Sequence, residues 1–274
     1  LIVEREQEIE AFQSQEYWTV EADASAPDEK LGTKPFSAKL TQFGGEKVEQ
    51  FTITDEKRAR EVEAALAQAA GGAPGGQLKV EKVERKQRKR NPAPPFITST
   101  LQQEAARKLG FTAQRTMRTA QQLYEGVDIG NGAVGLITYM RTDSVNLAQE
   151  ALAELRDFIA ARYGAENVPE TPRAFKTKAK NAQEAHEAIR PTSVHNDPKA
   201  IKQHLTADQA KLYELVWKRT VACQMAHALI NQVAVDLSAG AGNGFRATGS
   251  TVAEPGFMRV YLEGRDDATS ADDD

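Results

Sequence analysis

The chain has 274 residues, 40% of them hydrophobic and 27% charged, with a formal net charge of −4. That length holds one large domain or two modest ones, and no stretch approaches the roughly 20 apolar residues that a membrane span needs. The single cysteine, Cys223, rules out an internal disulfide and fits a reducing compartment. The start, Leu1-Ile2-Val3-Glu4-Arg5-Glu6, turns charged too early for the apolar core of a signal peptide. It lacks Met and reads as the middle of a helix, as expected of an internal piece of a longer protein. A net negative charge argues against nucleic acid, but it is unevenly spread. Residues 96–226 carry roughly +3 and residues 227–274 roughly −5, and the run Glu81–Arg90 adds a further basic cluster.

Residues 1–12 read as a helix end with Ile2, Ile9 and Phe12 near one face. Three short β segments follow at Tyr17–Ala22, Phe36–Thr41 and Phe51–Thr54. Val62, Leu66 and Ala69 at helical spacing predict a helix over 56–70, closed by the glycine-rich stretch 71–76. Leu78–Val83 alternates again as a strand. Asn91-Pro92-Ala93-Pro94-Pro95 is a stiff break, and from Phe96 to about Ala228 the pattern is helical. Thr98 or Ser99 is expected to cap a helix through Gly110, and Thr112 or Thr116 the next one, toward Tyr124. Ala148–Tyr163 and Thr206–His227 are amphipathic helices, separated by a lysine-rich loop over 164–183. The strand pattern returns at Asn231–Leu237 and Phe257–Leu262, and the acidic residues 265–274 read as disordered.

The order β, helical, β predicts an α+β chain. In it a β-rich domain (13–95 and 228–264) carries an inserted, mainly helical domain (96–227), with hinge strands at 91–95 and 228–230.

Three segments carry candidate chemistry. In Gly135–Ser144 an apolar run ends in a polar cluster, with Arg141 two residues after Tyr139. A phenol titrates near pH 10 and is a poor nucleophile at neutral pH. A nearby guanidinium favours the phenolate and neutralises a phosphate as charge develops, so the pair suits phosphoryl transfer to tyrosine. On local chemistry alone, a buried tyrosine beside a surface arginine is the commoner case. In Gln183–Pro191, His186 sits among Glu184, Glu187 and Arg190. With no second His at i+4, phosphate contact by His186 and Arg190 is a better reading than a metal site, and a solvated charged turn is the bland one. In Pro94–Leu101, hydroxyls at a helix start cap the helix by default, though the same end can hold a phosphate. Cys223 lies on a core face, where a thiol acts as a small apolar group.

Together and in this order, Pro94-Pro95-Phe96-Ile97-Thr98-Ser99-Thr100-Leu101-Gln102, Ile137-Thr138-Tyr139-Met140-Arg141-Thr142-Asp143-Ser144 and Gln183-Glu184-Ala185-His186-Glu187-Ala188-Ile189-Arg190-Pro191 closely resemble the type IA DNA topoisomerases. Met140 resembles the bacterial topoisomerase I branch; topoisomerase III-like decatenases usually have Pro there.

The resemblance implies a β-rich, barrel-like arch domain with an inserted helical domain bearing the tyrosine. It implies that Tyr139 cleaves single-stranded DNA through a 5′-phosphotyrosine link without ATP, relaxing negative supercoils. Arg141 matches the arginine that positions tyrosine and phosphate, and His186 the histidine that contacts phosphate. Gln121, Glu125 and Asp143 match positions lining the site; Ser99, Thr142 and Arg190 are further candidates for DNA contact. No metal ligand is expected in this chain, since the family's Mg²⁺ is held by an N-terminal TOPRIM domain whose Asp-x-Asp-x-Glu signature is absent here. The expected partners are single-stranded DNA, that TOPRIM domain and, for the chain alone, a second copy of itself, with the bacterial cytoplasm as location. The other reading is a non-catalytic single-stranded DNA-binding module in which Tyr139 is structural.

Overall fold

A computed structural model describes residues 1–26, 34–72, 76–130, 132–175 and 187–264. The fold is α+β, and the chain divides into two compact units. One comprises Leu1–Arg88 and Asn231–Thr251, the other Lys89–Ile230 and Val252–Asp274. The chain thus passes between them at three points, where two had been expected. The tail at 265–274 lies outside the described residues.

In the first unit, helix α1 (Ile2–Ala11) buries none of its residues. Strands β1 (Glu21–Ala26), β2 (Lys34–Phe43) and β3 (Glu46–Lys47) precede helix α2 (Glu56–Ala69) and strand β4 (Lys79–Arg90). Tyr17–Val20 lies just before β1 and outside it. Phe51–Thr54 forms no strand: Ile53 is buried and accepts a single backbone bond from Trp18, and Asp55 then caps α2 by accepting from the Arg58 N–H at 2.8 Å. There is no room for a ladder between that anchor and the cap. The basic run, expected as strand and loop, is all β4. Its charges partly compensate each other, as Lys82 and Lys86 both pair with Glu84, whose carboxyl is held down at about 2.

In the second unit, helices α3 (Thr98–Leu109) and α4 (Ala113–Glu125) lead into a hairpin of β5 (Val127–Asp128) and β6 (Ala133–Val134). Helices α5 (Gln149–Tyr163), α6 (Pro198–Ile201) and α7 (Ala207–Cys223) follow. Strands β7 (Ala228–Ser238) and β8 (Gly244–Glu254) complete the elements. The main sheet runs β1-β2-β8-β7-β4, with β3 on β2. Ala38 and Leu40 of β2, Ala59, Val62 and Leu66 of α2, Leu237 of β7 and Phe245 of β8 share one apolar core. The β2–β3 turn is Gly44-Gly45, at φ 59 and 90, which side chains disfavour. The β7–β8 turn closes on it, with Gly45 N–H donating to Gly242 O at 2.9 Å.

The helical core is built on α7, where Leu212, Tyr213, Val216 and Val221 are fully buried. Thr206 and Gln209 cap this helix reciprocally. Cys223 is buried, and burial pushes its thiol up to about 12, consistent with an apolar role. Phe257–Leu262, expected as a strand, contains instead a 3-10 turn at Gly256–Arg259. Phe257 and Tyr261, four residues apart, both enter the helical core, a spacing that a strand would also put on one face; the turn is decided by its own bonds, Met258 N–H to Pro255 O at 2.9 Å and Val260 N–H to Phe257 O at 3.0 Å. Residues 252–264 therefore belong with the helices.

A buried polar network fixes that segment. Arg219 donates to Pro94 O at 2.6 Å and to the Glu263 carboxylate at 2.8 Å, with its guanidinium 4.9 Å from the Phe96 ring. Buried Glu104 accepts from the Tyr261 hydroxyl at 2.5 Å and from the Gly264 N–H at 3.1 Å. Removing one member of such a network strands its partners. Arg219→Ala is expected to destabilise the chain by about 3–5 kcal/mol, since it opens a cavity in the core and leaves Pro94 O unpaired, and Glu263→Ala by less, about 1–3 kcal/mol, since the buried guanidinium it leaves keeps Pro94 O. Urea unfolding followed by circular dichroism checks both; equal effects would contradict the assignment.

Candidate active site around Tyr139

The three motif segments meet in the helical unit through backbone bonds. Thr138 N–H donates to Arg190 O at 2.9 Å, and Thr192 N–H to Leu136 O at 3.0 Å. Ile189 N–H donates to Phe96 O at 2.8 Å, and Thr98 N–H to Thr142 O at 2.9 Å. Isolated β-bridges join Phe96 to Ile189 and Ile137 to Pro191. Extended segments that enter a core must satisfy their N–H and C=O groups, and here the three motifs satisfy one another.

Thr98, expected as a cap, is the first residue of α3 and has another task. Its hydroxyl lies 2.8 Å from Met140 O and 3.0 Å from Thr142 O, one of which takes its proton, and it accepts from Thr142 N–H at 3.0 Å. The helix start is instead closed by Thr100, whose hydroxyl accepts from Ile97 N–H at 3.0 Å. Thr138 holds the other side: its hydroxyl donates to Ala188 O at 2.7 Å and accepts from Arg190 N–H at 3.0 Å.

Between these anchors burial alternates residue by residue. Met140, Thr142 and Ser144 are buried; Tyr139, Arg141 and Asp143 are exposed. Tyr139, 43% exposed, therefore stands on a buried frame with Arg141 and Asp143 on the same stretch. Thr142 is beneath that surface, its hydroxyl accepting from Ser144 N–H at 3.0 Å. Ser99 is exposed in the first turn of α3.

Arg190 joins the site through its backbone, while its side chain faces elsewhere. It donates to Glu187 at 2.8 and 3.2 Å and to Pro191 O at 2.9 Å. Glu187 in turn accepts from Ala148 N–H at 2.7 Å, capping α5. Gln121 and Glu125 share the last turns of α4, bonded to each other at 2.6 Å. His186 lies outside the described residues. Among the described residues no group of three His, Cys, Asp or Glu side chains is placed to hold a metal ion, and no helix is long and apolar enough to cross a membrane.

Reading the sequence missed Tyr124. Its ring lies 5.3 Å from that of Tyr139, edge to face at 63°. The available signal was the short spacing between a helix end carrying Gln121, Tyr124 and Glu125 and the Tyr139 stretch, with glycines between them to turn the chain back.

The profile of the family described as DNA topoisomerase matches residues 1–273. The chain belongs to the DNA topoisomerase family. DNA topoisomerase 1 of Xylella fastidiosa is 54% identical over 275 aligned positions, covering 100% of this chain and 33% of the relative. DNA topoisomerase 1 of Rickettsia felis is 49% identical over 268, covering 97% and 33%. The structure of full-length topoisomerase I from Thermotoga maritima superposes with a TM-score of 0.71 at 32% identity, covering 96% of this chain and 40% of that one. The chain spans about a third of the length of the curated relatives it matches. The resemblance to bacterial topoisomerase I carried by the three motifs is thus confirmed.

If the Thr98 hydroxyl holds the tyrosine segment, Thr98→Val leaves the Thr142 N–H without a partner and destabilises the chain by about 1–3 kcal/mol. Ser99→Ala, at an exposed position, changes stability by less than about 0.5 kcal/mol. A Thr98→Val chain with the parent's urea midpoint would contradict that role.

Proposed function

We propose that Tyr139 is the nucleophile of a type IA topoisomerase I, acting on single-stranded DNA. The phenol oxygen attacks a backbone phosphorus, the P–O3′ bond breaks, and the phenol proton ends on the departing 3′ oxygen. The DNA is left with a 5′-phosphotyrosine link and a free 3′ hydroxyl. One phosphoester replaces another, so attack by the 3′ hydroxyl reseals the strand without ATP. Passage of a strand between the two steps relaxes negative supercoils.

Arg141, exposed two residues from the nucleophile, has the charge to neutralise the phosphate in the transition state. Asp143, Gln121 and Glu125 line the approach, Ser99 offers a hydroxyl to the DNA backbone, and His186 takes a phosphate contact. Thr142 and Arg190 serve this site from beneath, since their polar atoms are committed to Ser144, Glu187 and Pro191. The full enzyme's Mg²⁺ is held by a TOPRIM domain outside these residues; the described residues present no ligand set for it, and no step above runs through it. The bacterial cytoplasm, at the nucleoid, is the corresponding location.

The observation that carries this reading is the meeting of three distant motifs under one exposed tyrosine. Mixed with a TOPRIM-containing segment, Mg²⁺ and a labelled single-stranded oligonucleotide, the chain is expected to form a denaturant-stable DNA adduct that Tyr139→Phe abolishes. The chain alone is expected to leave supercoiled DNA unrelaxed. Binding of the oligonucleotide and of the TOPRIM segment without any adduct would favour the non-catalytic single-stranded DNA-binding reading instead.

A further inference from the structure

Tyr124 and Tyr139 form an exposed aromatic pair, 41% and 43% accessible, and neither belongs to the helical core. Their contact, 5.3 Å between centroids at 63°, is therefore not a by-product of core packing. The backbone is arranged to produce it. α4 ends at Gly126, held at φ 127, and the β5–β6 hairpin returns the chain, its turn braced by Asp128 accepting from Gly130 and Gly132 N–H. Leu136 N–H then donates to Leu123 O at 2.7 Å. At Gly135 a Cβ would lie 2.7 Å from Tyr124 O, closer than real Cβ atoms come, so only glycine permits this approach. A hairpin, a hydrogen bond and a bare glycine thus bring the last turn of α4 against the tyrosine segment.

We infer that Tyr124 is a positioning residue for Tyr139, its ring fixing the orientation from which the phenol attacks phosphate; this rests on the reading of Tyr139 as nucleophile. A half-exposed tyrosine has free torsions about its side chain, and holding a nucleophile near its attack geometry removes that search from the barrier. The contact is edge to face between rings, so it needs the ring of Tyr124 and not its hydroxyl.

The test uses the full-length enzyme carrying this chain, with Mg²⁺ and a saturating labelled oligonucleotide under single-turnover conditions. Tyr124→Ala is expected to slow adduct formation roughly 10- to 100-fold, with the oligonucleotide Kd and the urea midpoint unchanged. Tyr124→Phe restores the rate, Tyr124→Leu does not, and Gly135→Ala slows the step by displacing the end of α4. Wild-type cleavage by Tyr124→Ala overturns the inference. So does a loss confined to Kd, which would make Tyr124 a base-stacking platform, or failure of Tyr124→Phe to rescue. In each of those cases the parent enzyme still forms its adduct; a parent that forms none overturns the reading of Tyr139 as well.

Discussion

Backbone pairing of one extended segment, Leu136–Thr142, is the constraint on which the site depends. The segment belongs to no regular sheet, yet much of it is buried. Its polar groups must find partners, and they find them in three places: the end of α4 through Leu123, the 187–192 stretch through Arg190 and Thr192, and the start of α3 through Thr98. Thr138 and Thr98 reinforce these bonds with hydroxyls that both donate and accept. A side chain standing on such a segment inherits a position fixed from several directions.

The same motif residues divide their labour by burial. Phe96, Ile137, Met140 and Ile189 are sealed in the core, so much of what makes the motifs recognisable is packing. The alternate positions Tyr139, Arg141 and Asp143 are exposed, and it is to these that the proposed chemistry falls. Arg190 and Glu187 illustrate the second kind of role. Arg190, read in the sequence together with His186 as a phosphate contact, here braces Glu187, which in turn accepts from Ala148 N–H at the start of α5.

The helices were legible because their signals are local. Val62 and Leu66 of α2 sit at one-turn spacing, and Thr112 and Thr206 cap α4 and α7 as their hydroxyls predict. β8 was not legible: Gly244–Glu254 is rich in Gly, Ser and Thr and mostly exposed, so its place comes from its neighbours β2 and β7. Phe257 and Tyr261 misled because a brief alternation fits a strand as well as a turn, and only the turn's own backbone bonds decide between them. At the site, the nucleophile candidate could be named from its motif. The roles of Thr98 and Tyr124 depend on contacts across 42 and 15 residues of chain respectively, which no local pattern encodes.

If Tyr139 is the nucleophile, it is Tyr139 itself that becomes bonded to DNA. The most direct measurement is mass spectrometry of the trapped adduct from the full-length enzyme after tryptic and nuclease digestion. The tryptic peptide spanning residues 119–141 contains both Tyr124 and Tyr139, so fragmentation must place the nucleotide. The expected product is a nucleotide joined through its 5′ phosphate to Tyr139, with Tyr124 unmodified. A nucleotide on Tyr124, on a residue outside this peptide, or joined through a 3′ phosphate would contradict it.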